Sequence, residues 1–145
     1  MSNRDDVVRV ARSYIDTPWH ASARLPGVGM DCAGIIICIM RELGICSADW
    51  DVEPYLQIPD GKSMIAQLDK YLTRIDRNVM QPGDVACIVT DKHPQHLGIV
   101  GDHVHGGLSL IHAASAATPP RVIEHRLMLA RNCRLTGAYA LPGVT

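Results

Sequence analysis

The hydrophobic pattern changes period partway along the chain. Residues 4–15 place Val7, Val8, Ala11, Tyr14 and Ile15 at helical spacing, with Ser2 or Asn3 as cap, which predicts an amphipathic helix. Thr17-Pro18 ends it, because the residue before proline avoids the helical region. Trp19 to Gly29 reads as a long loop with Pro26, Gly27 and Gly29. From Ala33 to Leu43 the chain is apolar on nearly every face, which predicts a helix buried all round and stopped by Gly44. Residues 45–60 are irregular. A second amphipathic helix spans 61–73, with Met64, Ile65, Leu68 and Leu72 on one face and Asp60 or Ser63 as cap.

Beyond that point the text becomes short apolar runs between turns. Gln81-Pro82-Gly83-Asp84 is a turn that opens a strand over 85–89. Further strands are predicted over 96–100, 108–112, 121–125 and 137–141. Short connections require antiparallel pairing. Helices first and strands second give an α+β layout, with N-terminal helices packed on a C-terminal antiparallel sheet. At 145 residues the chain suits a single domain, 1–145. Phe is absent, so the core must be aliphatic.

Charge and cysteine usage remove several function classes. A net charge of −1 gives no basic stripe for nucleic acid. No apolar run approaches the roughly 20 residues that span a bilayer, so no membrane insertion is expected. The N-terminus is charged and lacks a signal core, which predicts synthesis in the cytoplasm without a signal peptide. Five cysteines at irregular spacing, with no C-x-x-C pair, argue against a disulfide framework or a cysteine-rich zinc site.

Cys32 follows the glycine-rich loop and falls on the first turn of the buried helix. The N–H groups and positive dipole end there favour a thiolate, which makes Cys32 a candidate nucleophile with a lowered pKa. The same residue also fits a small buried hydrophobe. Cys38, Cys46, Cys87 and Cys133 read as core or incidental.

Of seven histidines, His93, His103 and His105 lie in or beside turns and read as solvated. His20 and His125 are undecided. His96 and His112 lie inside apolar strand text. Alternation puts His96 with Gly98 and Val100, and His112 with Leu110 and Leu108. On neighbouring strands the two imidazoles sit side by side, on the face that receives the central helix. A chain from Cys32 to His96 to His112 would supply nucleophile, base and orienting group. Two satisfied core histidines are the competing reading. His93-x-x-His96 and His103-x-His105 are ligand-like spacings, but no carboxylate cluster accompanies them, so neither metal nor cofactor is expected.

Thr17-Pro18-Trp19, Asp31-Cys32-Ala33-Gly34, Gln81-Pro82-Gly83-Asp84-Val85, His96-Leu97-Gly98-Ile99-Val100 and Ile111-His112-Ala113, in that order, resemble the NlpC-type cell-wall cysteine peptidases across about residues 5–142. The Asp-Cys-Ala-Gly version and the Gly-Ala-Tyr-Ala-Leu-Pro-Gly ending resemble that family's bacteriophage and gene-transfer-particle branch. The resemblance implies a papain-like fold and cleavage of stem-peptide amide bonds in peptidoglycan. It implies Cys32 as nucleophile, His96 as base and His112 as orienting residue. Trp19, His20, Asp31 and Ala33 would lie on the substrate side. Peptidoglycan stem peptide is the implied partner, with phage tail proteins and a place in a virion tail implied by the branch. The stretch His20-Ala21-Ser22-Ala23-Arg24 departs from the family's glycine- or histidine-rich pattern. Two other readings stand beside this one: a catalytically silent tail structural or adaptor protein on the same fold, and an acyltransferase or amidase using the same thioester chemistry.

Overall fold

The computed structural model describes residues 2–52, 63–90, 93–128 and 133–145. Helix α1 (Arg4–Ser13) starts at Asn3, whose side chain accepts from the Asp6 N–H while Asp6 accepts from the Asn3 N–H. That reciprocal box fixes the first turn. Val7, Val8, Val10 and Ala11 turn inward.

The predicted loop before Cys32 contains a small hairpin, β1 (Arg24–Leu25) and β2 (Gly29–Met30). Gly27, at φ +79°, makes its tip possible. Helix α2 (Cys32–Glu42) follows. Ile35, Ile37 and Ile39 are all essentially buried, each worth about 2 kcal/mol of burial. Gly44 adopts φ +70° and the Ile45 N–H returns to the Met40 carbonyl, closing the helix as the sequence predicts. Tyr14 donates to Glu42 at 2.6 Å and so ties α1 to the far end of α2. Helix α3 is Ser63–Tyr71. The predicted cap Asp60 lies outside the described residues.

The strands are β3 (Thr73–Ile75), β4 (Val85–Thr90), β5 (His93–Asp102), β6 (Leu108–Ala114), β7 (Arg121–Arg126) and β8 (Cys133–Ala140). They form one sheet in the order β3-β8-β4-β5-β6-β7, antiparallel throughout. The hydrophobic pattern gives no signal for β3, and it starts β5 at His96 and the last strand at Gly137, later than the structure does. β3 is short and mostly exposed, so it carries little periodic signal.

Each face of the sheet has its own apolar cluster. Val85, Cys87, Leu97, Ile99, Ile111, Ala113 and Val122 pack with residues of all three helices. Ala86, Ile88, Val100 and Leu110 point the other way, against Met80, Leu108, Leu127 and Leu135. The N-terminal helices therefore lie on one face of a C-terminal antiparallel sheet.

Candidate active site

Asp31 organises the entry to α2. It is 5% exposed, and its carboxylate accepts from the Gly34 N–H, the Ser22 N–H and the Arg24 guanidinium, each at 2.8 Å. It is thus the helix cap and one half of a buried ion pair. Gly34 is needed beside it, because a Cβ there would stand 2.5 Å from the Ala23 carbonyl oxygen. The Asp-Cys-Ala-Gly run is the local code for pressing the preceding loop onto the helix start. Cys32 and Ala33 are half-buried on that first turn.

The imidazoles form a row. His96 Nε2 lies 2.6 Å from His112 Nδ1, and His112 Nε2 lies 2.7 Å from His125 Nε2. Successive rings meet edge to face, with centroids 4.8 Å apart. His125, undecided from sequence, is therefore part of the cluster. Its β6 partner is Leu110, while His112 pairs with Ile123 of β7, so the two histidines are diagonal neighbours on one face. Only the β6–β7 register, set beyond the Pro119-Pro120 loop, reveals this. His103 and His105 lie side by side in the turn after β5, their ring centroids 5.6 Å apart and their planes tilted by 44°.

The row lies on the face opposite α2, which corrects the sequence expectation of a shared face. His96 and His112 alternate with Leu97, Ile111 and Ala113, which pack under the helices. On the other side, Glu124 reaches Arg12 of α1 at 2.9 Å, so its neighbour His125 points away from α1. Cys32 lies on the helix side, and the strand pairing shows where its sulfur meets the sheet. The β5–β6 ladder begins only at Ile99 opposite Ile111. The Val100 N–H bonds towards β4, at the Asp84 carbonyl, so by alternation the Leu97 N–H faces β6, where the ladder has already opened. That N–H is directed instead at Cys32 Sγ. The start of α2 thus sits at a gap between two strands, with the sulfur one residue along the chain from His96. Gly98 keeps the gap's floor low, since a Cβ there would stand 2.4 Å from Leu110 Cδ1 and 3.2 Å from His112 Cβ.

The electrostatics also differ from the sequence expectation. Burial pushes the Cys32 thiol up, to about 12, and the Asp31 carboxylate acts the same way; the Leu97 and Ala33 N–H groups oppose it. Burial outweighs the helix-start effect. His96 is held down to about 4 by burial and by His125. His112 is held down to about 3 by burial, then by His96 and His125. With the thiol pushed up and both imidazoles held down, Cys32, His96 and His112 rest neutral at pH 7 rather than charged.

Trp19 is half-buried against the core, bridged to Met30, with its backbone N–H on the Pro120 carbonyl. His20 is exposed, its ring Nδ1 3.1 Å from the Ala21 carbonyl. Both stand on the loop that leads into β1. Among the described residues no group of His, Cys, Asp and Glu could hold a metal, and no helix is long and apolar enough to cross a membrane.

These helices, this sheet and a cysteine at the mouth of the central helix define the α+β, papain-like fold of NlpC/p60 domains. The chain is similar to the solved NlpC/p60 domain of the peptidoglycan hydrolase SagA, with a TM-score of 0.65 and 19% identity over 96% of this chain and 99% of that one. It is similar to an NlpC/p60 family protein from Bacillus cereus ATCC 10987, at 0.64 and 16% identity over 93% of this chain but only 39% of that one. An N-acetylmuramoyl-L-alanine amidase from Bacteroides uniformis ATCC 8492 matches at 0.57 and 14% identity over 94% of this chain and 96% of that one. No family model and no curated protein matches the sequence.

Proposed function

We propose that this chain is a cysteine peptidase that hydrolyses stem-peptide amide bonds of bacterial peptidoglycan. The observation that carries the reading is the 2.6 Å contact between His96 and His112 at the strand gap that receives the start of α2 and Cys32. The similarity to structures described as a peptidoglycan hydrolase domain and a muramoyl-alanine amidase supports the substrate class.

His96 Nδ1 takes the proton from the Cys32 thiol as the sulfur attacks the amide carbonyl. Because thiol and imidazole both start neutral, charge separates only along the reaction path, where an oriented base has its effect. The N–H of Cys32, at the positive end of α2, faces the developing oxyanion and contributes a few kcal/mol. His96 returns the proton to the leaving amine, and water, deprotonated by His96, opens the thioester. His112 holds the His96 ring. Trp19, His20 and Ala33 line the substrate side, while Asp31 acts from beneath by fixing the helix start.

Purified sacculi provide the test. Wild-type protein should release new amino groups, Cys32→Ala should release none, and His112→Ala should lower turnover far more than His103→Ala. Undiminished turnover in Cys32→Ala refutes the assignment. The mass of fragments from defined muropeptides separates cleavage within the stem peptide from cleavage at the muramoyl–alanine amide, the second reading favoured by the Bacteroides neighbour. The phage-branch motifs support a place in a virion tail, which mass spectrometry of purified particles would detect.

A further inference from the structure

The row of imidazoles ends on a group that cannot donate. His125 Nδ1 lies 2.8 Å from the Arg126 backbone carbonyl. A carbonyl oxygen only accepts, so Nδ1 of His125 carries the proton and, in the neutral ring, Nε2 is a lone pair. His112 Nε2, at 2.7 Å from that lone pair, must then be the donor. A neutral His112 with its proton on Nε2 presents Nδ1 as an acceptor, so His96 Nε2, at 2.6 Å, donates to it. That leaves His96 Nδ1 unprotonated, the form a base needs in order to take a proton. Direction is thus inherited ring by ring from one carbonyl on β7. The depressed basicity of His96 and His112 agrees with rings that stay neutral.

We infer that His125, anchored by the Arg126 carbonyl, is a positioning residue that sets the tautomer of His112 and, through it, leaves Nδ1 of His96 unprotonated to serve as the base. His125 touches no reacting atom. It is half-buried at the end of the row, so its replacement does not empty the core. This inference rests on the reading of His96 as the base, but the tautomers can be observed without any substrate.

The experiment is nitrogen-15 NMR of the imidazoles in wild type, His125→Leu, His125→Gln and His125→Lys, with turnover measured on the same samples. Wild type should show protons on Nε2 of both His96 and His112. Leucine removes the acceptor and should give mixed tautomers at His112, with kcat lowered about 10- to 100-fold and KM nearly unchanged, the size expected when a partner that fixes a histidine's orientation is lost. Glutamine can accept from His112 Nε2 through its side-chain oxygen and should restore both the single tautomer and most of kcat. Lysine offers only donors, and should flip His112 and then His96 to the Nδ1–H form and abolish turnover. If the leucine variant does not fold, the glutamine and lysine variants still read opposite directions. Wild-type tautomers in His125→Lys, or altered tautomers with undiminished kcat, overturn the inference. Tautomers that respond as described in a protein with no hydrolase activity uphold the relay and overturn the proposed function instead.

Discussion

Replacing Gly98 by alanine tests whether the two strands carrying His96 and His112 are packed as closely as the site requires. Gly98 has no need of a glycine's conformational range; what it lacks is room. The new Cβ would stand 2.4 Å from Leu110 Cδ1 and 2.9 Å from its Cγ, where carbon atoms normally rest at about 3.5–4.0 Å. Because both atoms are too close, rotating the terminal methyls of Leu110 is not enough. The side chain must leave its rotamer or the strands must part. Leu110 is 1% exposed and enclosed by Ala86, Ile88 and Val100, so it has nowhere to go without displacing them. Overpacking of this kind costs about 1–3 kcal/mol, offset by about 0.4–1 kcal/mol from the stiffer unfolded chain. A net loss of about 1–2 kcal/mol lowers Tm by about 3–8 °C for a domain of this size. The Cβ would also press on His112 Cβ at 3.2 Å and lengthen the bond to His96, so kcat should fall with it. The assay is a double-mutant cycle by urea unfolding. Leu110→Ala alone should cost about 2–5 kcal/mol as a cavity, and in the Gly98→Ala background the new methyl partly fills that cavity. The double variant should therefore be more stable than the sum of the singles by about 1 kcal/mol or more. Costs that add to within about 0.5 kcal/mol would show that Leu110 and residue 98 do not compete for space, and the packing argument would be wrong.

Acid should destabilise the fold through the same histidines. The folded rings hold their pKa values down, near 4 for His96 and 3 for His112, while the unfolded chain titrates at about 6.5. Below about pH 6.5 the unfolded state binds protons that the folded state refuses, so stability falls as pH drops, by up to about 2 kcal/mol per ring at pH 5. Urea midpoints at pH 7 and pH 5 should differ less in His112→Phe than in wild type, and equal differences would remove the explanation. Asp31→Ala should cost about 2–4 kcal/mol, because it removes the 2.8 Å partner of the Arg24 guanidinium, which is 10% exposed and keeps Asp51 at 3.3 Å as an ion-pair partner, and because it uncaps α2; a loss below about 1 kcal/mol in thermal unfolding would contradict the buried pair. Breaking the Arg12–Glu124 contact with Arg12→Met should cost about 1 kcal/mol or less, since the arginine is 38% exposed, and a larger loss in the same assay would mean that the contact anchors β7.

The sequence alone determined the elements whose cause is local. The apolar run behind Cys32 could only be a buried helix, Gly44 is a stop legible by residue type, and short strands between turns could only pair antiparallel, whereas the capping role of Asp31 emerged only in the structure. Ordered motifs singled out Cys32, His96 and His112 because their residue types sit in unusual text, imidazoles within aliphatic strands. Tertiary structure decided everything that depends on register and on burial. The pairing of β6 with β7 brought His125 into the row and the alternation moved the row to the face away from α2. The early end of the β5–β6 ladder opened the gap where the sulfur meets the Leu97 N–H. The protonation of the site also belongs to the fold. A helix start favours a thiolate wherever it occurs, but whether desolvation overrides it depends on which atoms close over the sulfur, and those come from distant parts of the chain.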